Sequence, residues 1–222
     1  MPLELIDNEK ILVVAPHPDD ESIGCGGVLS LYRGHCDVLL VTDGYREDLD
    51  NKDISELRVQ EFVKATDYFE VCNRICLHIH EQRIRDFKDK FLDVDYNKYK
   101  YILVPNRYEI HKDHADVYNA VIRALKKKSC KAEVLEYEVW TAIRFPNVKV
   151  DITPVVEEKK KAILLHESQI KDLDYVGMII GLNAYRGKGH GCDYAEVFYS
   201  EKRAKIKRNK ERKKRIKGII KR

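Results

Sequence analysis

Two clusters of imidazoles and carboxylates stand out from the rest of the chain. The first is Ala15-Pro16-His17-Pro18-Asp19-Asp20-Glu21, continued by Ser22-Ile23-Gly24-Cys25-Gly26-Gly27. His17 and Asp20 are three residues apart, so a turn entering a helix can aim both at one point. Imidazole with carboxylate suits a zinc ion that keeps one coordination place open for water. Asp19 has to point elsewhere, because adjacent side chains on a helical turn diverge by about 100°. A carboxylate next to metal-activated water is suited to act as general base. The second cluster, His111-Lys112-Asp113-His114, supplies the third protein ligand that a tetrahedral site needs. We assign His114 to the metal and His111, one turn earlier, to the oxyanion formed when a carbonyl is attacked. Asp113 either fixes the tautomer of His111 or helps keep it protonated. Taken singly, an acidic helix start satisfies the helix dipole without any metal. The chemistry therefore depends on the fold bringing the two clusters together.

The elements that must do so are legible as short apolar runs separated by amphipathic stretches, the pattern of buried parallel strands joined by crossover helices. Ile11 to Ala15, Asp37 to Thr42 and Tyr101 to Pro105 read as strands, with Arg74 to His80 and Val134 to Trp140 as weaker ones. Each cluster follows a strand, and in an open α/β sheet ligands bind at the carboxyl ends of strands. Asp53-Ile54-Ser55-Glu56 has the form of a capping box, opening a helix whose apolar face is Val59, Phe62, Val63, Thr66 and Phe69. A helix from about His114 to Lys127 carries Tyr118, Val121, Ile122 and Leu125 on one face. Thr153-Pro154 reads as an N-cap and first helical residue, leading a helix to Leu165.

At 222 residues the chain has the size of one α/β domain. Its formal charge of +4 conceals an asymmetry: residues 201 to 222 hold 13 Lys or Arg against two Glu, a net of +11, which leaves −7 on residues 1 to 200. The domain therefore ends near residue 200 and a basic tail follows. An acidic body does not fit a nucleic-acid-binding core, so any polyanion contact belongs to the tail. Clustered Lys and Arg with Ile216, Ile219 and Ile220 suit docking to an anionic membrane. No apolar run is long enough to span a bilayer and the first ten residues are too polar for a secretory signal, so a cytoplasmic, membrane-peripheral protein is expected. Six cysteines at 25, 36, 72, 76, 130 and 192 lack any C-x-x-C spacing and read as reduced thiols.

On these residues the sequence resembles the PIG-L/LmbE-like family of N-acetylglucosaminyl deacetylases, whose signature is an A-H-P-D-D-E turn and a later H-x-D-H. Here Pro16 is an extra residue in the first motif, and Lys112 takes a place often held by proline in the second. The resemblance continues through Thr42-Asp43-Gly44, Arg58 to Glu61, Phe145 to Asn147, Asp151 to Thr153, His166 to Gln169 and Tyr194 to Phe198. It implies a Rossmann-like, mostly parallel sheet flanked by helices. It also implies zinc, or another divalent cation, on His17, Asp20 and His114, with Asp19 as base and His111 as oxyanion stabiliser. The implied substrate is a small amino sugar conjugate, lipid- or nucleotide-linked among the alternatives, that loses its N-acetyl group.

Arg58 matches an arginine that contacts a substrate hydroxyl or phosphate in that family, and Asp43, Arg144 and Arg186 are further candidates for substrate contact. Asp43 ends the second strand as the ribose-binding acid of dinucleotide folds does, but the loop after the first strand lacks G-x-G-x-x-G and is acidic where a pyrophosphate would sit. His35, His78, His80, His166 and His190 have no ligand-type neighbour at useful spacing and are read as structural or surface residues. The rival readings are a metal-dependent hydrolase of another acyl or phosphoryl bond, and an anion-binding protein acting through its tail. The chain carries no signal for oligomeric state.

Overall fold

A computed structural model describes residues 3, 5, 9 to 171 and 173 to 220, with side chains up to 211. Five strands form one parallel sheet: β1 (Lys10–Ala15), β2 (Cys36–Thr42), β3 (Asn73–Ile79), β4 (Tyr99–Pro105) and β5 (Glu133–Tyr137), in the order β3-β2-β1-β4-β5. The chain first builds outward on one side of β1, then crosses to the other side for β4. The point where strand order reverses therefore lies between β1 and β4, which pair directly and in parallel. The expected strands all form, each with its limits moved by one to three residues.

Both faces of the sheet are buried, which is why its strands read as continuous apolar runs. Ile11, Val13, Ala15, Val38, Leu40 and Leu103 pack on one side against α1 (Asp20–Leu31), α2 (Lys52–Tyr68), α4 (Val156–Leu164) and α6 (Tyr175–Lys188). Leu12, Val14, Leu39, Val41, Ile102 and Val104 pack on the other against α3 (Lys112–Lys127). The remaining elements are a short helix α5 (Glu167–Ile170), an antiparallel pair β6 (Val148–Asp151) and β7 (Ala195–Phe198), and α7 (Glu201–Ile220).

Helix α1 is buried on nearly every side, and its glycines are the reason it fits. A Cβ on Gly24 would stand 2.4 Å from the Tyr137 ring, and one on Gly27 would stand 2.3 Å from Ile152. The close approach at Gly27 lets Glu196 accept bonds from the backbone N–H of Gly27 (2.7 Å) and Val28 (2.9 Å), while Lys159 Nζ donates to the same carboxylate at 2.7 Å.

Three local expectations change. The capping box at Asp53 does not form: α2 begins earlier, its N-cap is Asn51 without a side-chain cap bond, and Asn51 Oδ1 instead accepts from the Arg46 amide. On the same helix Val63 is exposed, and the buried face is Phe62, Ala65, Thr66 and Phe69. Thr153-Pro154 opens a 3-10 turn, Thr153–Val155, before α4, and Thr153 Oγ1 accepts from the Tyr194 amide rather than capping the helix. The cysteines at 25, 36, 72, 76, 130 and 192 are all free thiols, as read from their spacing.

Helix α7 is rooted by Arg203 Nε donating to Glu133, the first residue of β5, at 2.7 Å. That end of the sheet is the opposite one from the carboxyl ends of β1 and β4, which the segments bearing His17 and His114 follow. The side chains of Ile216, Ile219 and Ile220, on which the membrane expectation drew, lie outside the described residues.

Candidate active site

The loop from β1 into α1 and the loop from β4 into α3 meet above the carboxyl ends of their strands. Pro16 is held by Thr42 at the end of β2, whose amide and hydroxyl both donate to its carbonyl at 2.9 and 2.8 Å. That anchor sets where His17 leaves the strand. His17 Nδ1 lies 3.2 Å from Asp20 Oδ2 and 3.2 Å from His114 Nε2, and His114 Nε2 lies 3.2 Å from Asp20 Oδ2. A tetrahedral zinc site, with bonds of about 2.0–2.1 Å, separates its ligand atoms by roughly 3.3 Å. The three atoms thus have the spacing of one face of such a tetrahedron, and all three residues are buried.

The other nitrogen of each imidazole meets a carboxylate. His17 Nε2 lies 3.2 Å from Asp113 Oδ2, and His114 Nδ1 lies 3.3 Å from Glu109 Oε2 in a bent arrangement. Carboxylates behind metal-ligating histidines fix ring orientation and raise ligand basicity. The three atoms therefore fit a divalent cation in donor type and spacing. Asp113 takes a different place from the one expected: its carboxylate faces His17, and its backbone amide, not its side chain, reaches His111, donating to Nδ1 at 3.3 Å. That bond leaves the His111 proton on Nε2. Burial first, and then the proximity of His17 and His114, holds the His111 pKa below the ordinary value, so the ring is a neutral donor rather than a cation.

Asp19 occupies the N-cap of α1, yet its side chain makes no capping bond. This carboxylate therefore does not cap the helix. Its nearest cation is Arg58, with Nη2 at 3.5 Å. Burial, opposed by Arg58 and reinforced by Asp20, pushes its pKa up to about 6. Arg58 itself sits on α2, donates to Glu81 at 3.0 Å and is mostly buried, so it is not the exposed partner of Glu61 that helical spacing allows. Glu61 instead accepts from the amide and hydroxyl of Ser168.

The remaining candidates stand apart. The Asp43 carboxylate accepts from the Tyr45 amide, closing the turn before α2. Arg144 is exposed and lies over the Phe145 ring at 4.9 Å. Arg186 pairs with Glu138 and donates to the Ile143 carbonyl at 2.8 Å, fastening the segment that follows β5. None of the three lines the cavity above the His cluster, a space of about 180 Å³. That space is lined instead by Ile23, Arg58, Glu81, Trp140, Gln169 and Tyr175 together with His17, Asp19, Asp20 and His111. The Trp140 and Tyr175 rings meet edge to face, 5.8 Å between centroids.

Sequence reasoning missed Glu81, Glu109, Trp140 and Tyr175, and it set His166 aside. Glu81 follows β3 at a carboxyl end, the one available signal for it. His166 is buried, with Nε2 3.0 Å from Glu21 Oε1. Burial works against charge on this ring, but Glu21 outweighs it and raises the pKa.

One expectation concerns the chain without metal. Burial opposes charge on His17, yet Asp113 and Asp20 outweigh it and push its pKa up to about 10; His114 is pushed up to about 9 by Asp20 and Glu109 against the same burial. Both values lie above the ordinary imidazole value of about 6.5. Protonation therefore stabilises the folded chain in full below pH about 6.5, and this contribution is lost as the pH rises through about 9 and 10. Melting temperatures in chelator should fall over that window. Because a cation competes with those protons, the upward shift on adding zinc should grow as pH rises over the same range. A chelated chain whose melting temperature stays level through it contradicts this account.

Known proteins are similar to this chain in sequence and in fold. The diacetylchitobiose deacetylase of Thermococcus kodakarensis is 28% identical over 222 residues, covering 86% of this chain and 82% of the relative. A protein of Bacillus subtilis named probable N-acetyl-alpha-D-glucosaminyl L-malate deacetylase 2 is 27% identical over 196 residues, covering 74% of this chain and 85% of its own. The N,N'-diacetylchitobiose deacetylase of Pyrococcus horikoshii, solved with an inhibitor, superposes with a TM-score of 0.71 at 21% identity, covering 87% of this chain and 84% of that one. That likeness shows a shared fold. The family described as PIG-L, GlcNAc-PI de-N-acetylase, matches residues 12–125, more than half of the chain and both clusters with it. The chain belongs to the PIG-L family.

Proposed function

We propose that the protein is a zinc-dependent hydrolase that removes the N-acetyl group from an N-acetylglucosamine-type sugar in a small conjugate. The observation that carries this is the mutual 3.2 Å spacing of His17 Nδ1, Asp20 Oδ2 and His114 Nε2, with the carboxylate of Asp19 free of any capping bond beside them. Residues 1 to 200 carry the chemistry in this proposal.

His17, Asp20 and His114 would hold the ion. Zinc bound there supplies Lewis acidity and makes water acidic near neutrality. Asp19 takes the proton from the attacking water and, once protonated, delivers it to the departing amine nitrogen. His111 donates Nε2–H to the carbonyl oxygen as it gains charge. Trp140 and Tyr175 give the sugar ring an apolar wall, and Arg58 with Glu81 offers a donor and an acceptor to its hydroxyls.

A phosphoryl substrate fits less well. Asp19, Asp20 and Glu81 crowd the cavity, and Arg58 is already paired to Glu81 at 3.0 Å. No helix among the described residues is long and apolar enough to cross a membrane.

The test is acetate release from N-acetylglucosamine conjugates: a diacetylchitobiose-type disaccharide, a malate conjugate, and nucleotide- and lipid-linked forms. At least one soluble conjugate should release acetate, chelator should abolish the release, and zinc should restore it. A zinc-loaded protein that releases acetate from none of them is not a deacetylase of this class.

A further inference from the structure

We propose that Glu21 and His166 form a buried brace that sets the backbone of Asp19, and through it the direction of the carboxylate assigned as base. The inference rests on that assignment and adds two positioning residues to it. Neither residue lines the cavity above the His cluster.

Asp19 has φ 150° and ψ −28°, a conformation that a residue with a Cβ adopts only when its surroundings impose it. The conformation turns the Asp19 amide back toward α1, where it donates to Glu21 Oε2 at 3.1 Å. Glu21 is fully buried, and its second oxygen is held from two directions: Ser22 Oγ donates to Oε1 at 2.7 Å, and His166 Nε2 lies 3.0 Å from the same oxygen. Glu21 and His166 are both buried, so their contact is closed off from water. One oxygen of Glu21 therefore faces the strained amide and the other is locked to a residue 145 positions away in the chain. The strain at Asp19 is held by Glu21 of its own helix, and Glu21 is fixed in turn by His166 from the turn between α4 and α5.

The arrangement also explains why Glu21 folds back. As a plain helix-start acid it would lie at the surface, where the dipole favours it. It is instead the acceptor that lets Asp19 leave the capping role and keep its carboxylate in the cavity.

The experiment compares zinc-loaded wild type, Glu21→Gln, His166→Ala and His166→Gln on whichever N-acetylglucosamine conjugate releases acetate, with bound zinc and melting temperature measured alongside. The expected result for Glu21→Gln and His166→Ala is a kcat lower by roughly 10–100-fold, the range seen when groups behind a site are lost, with KM and bound zinc unchanged. His166→Gln, whose side-chain N–H can take the place of Nε2–H, should recover most of the loss. A role confined to stability moves the melting temperature and leaves kcat alone. Wild-type kcat in His166→Ala, a loss that appears in KM or zinc content, or no recovery in His166→Gln overturns the brace. If His166→Ala does not fold, Ser22→Ala removes one donor from the same oxygen and should lower kcat by roughly fivefold; an unchanged kcat then overturns it. Asp19→Asn run in parallel separates the two ideas. An active Asp19→Asn, or a wild type that releases no acetate, sinks the base assignment and the brace together. An inactive Asp19→Asn beside a normal Glu21→Gln sinks the brace alone.

Discussion

Asp19→Asn should retain bound zinc and near-normal KM while its kcat for acetate release falls by roughly 10²–10⁴-fold, the contribution of a positioned proton-transfer group. The substitution preserves size and hydrogen bonding but removes the ability to accept a proton. Asp19 makes no side-chain capping bond, so little of the fold depends on its charge. The three atoms assigned to the metal belong to other residues, so zinc content should not change. Loss of a carboxylate beside Arg58 leaves that guanidinium with Glu81 at 3.0 Å, which keeps it paired. Steady-state kinetics with metal analysis checks all three statements. Turnover close to wild type with full zinc would assign the base elsewhere.

Lys159→Met should destabilise the fold by about 3–5 kcal/mol, the cost of leaving a buried charge without its partner. For a chain of this size that corresponds to a drop in melting temperature of roughly 6–20 °C. Lys159 and Glu196 are both buried, and their 2.7 Å bond is the ionic contact of a carboxylate whose other bonds come from the Gly27 and Val28 amides. Without Lys159 the negative charge remains inside, held by two amides. Its protonation would loosen the grip on α1, the helix that begins at Asp20. Lys160 is the control: it pairs with Glu157 at 2.7 Å on the surface, and Lys160→Met should change stability by less than about 1 kcal/mol. Equal melting temperatures for the two variants would show that the Lys159 pair contributes no more than a surface one.

What the sequence makes legible is whatever is short-range in the chain. His17, Asp19 and Asp20 lie within four residues, as do His111 and His114, and both groups follow apolar runs that can only be buried strands. Periodicity reports such runs, because side-chain direction is set by local backbone geometry. The resemblance to the family implies their roles. The same locality explains the failures at helix starts. Asp53 and Thr153 have the right neighbours for caps, but the Asn51 oxygen and the Thr153 hydroxyl went to partners brought by other segments.

The sequence alone determined the parallel α/β architecture, and it made legible the two clusters proposed as metal ligands and the carboxylate proposed as base, since each depends on spacing along one segment. Tertiary structure decided everything that joins segments: that β1 and β4 are neighbours, that Asp113 supports His17 and not His111, and that Glu81, Glu109 and His166 complete the surroundings. These contacts span from 5 to 145 positions of chain and involve single residues, so no repeat or period marks them. They follow from the burial of both sheet faces, which forces polar groups carried inside to find one another, because an unpartnered charge there costs more than the packing gains.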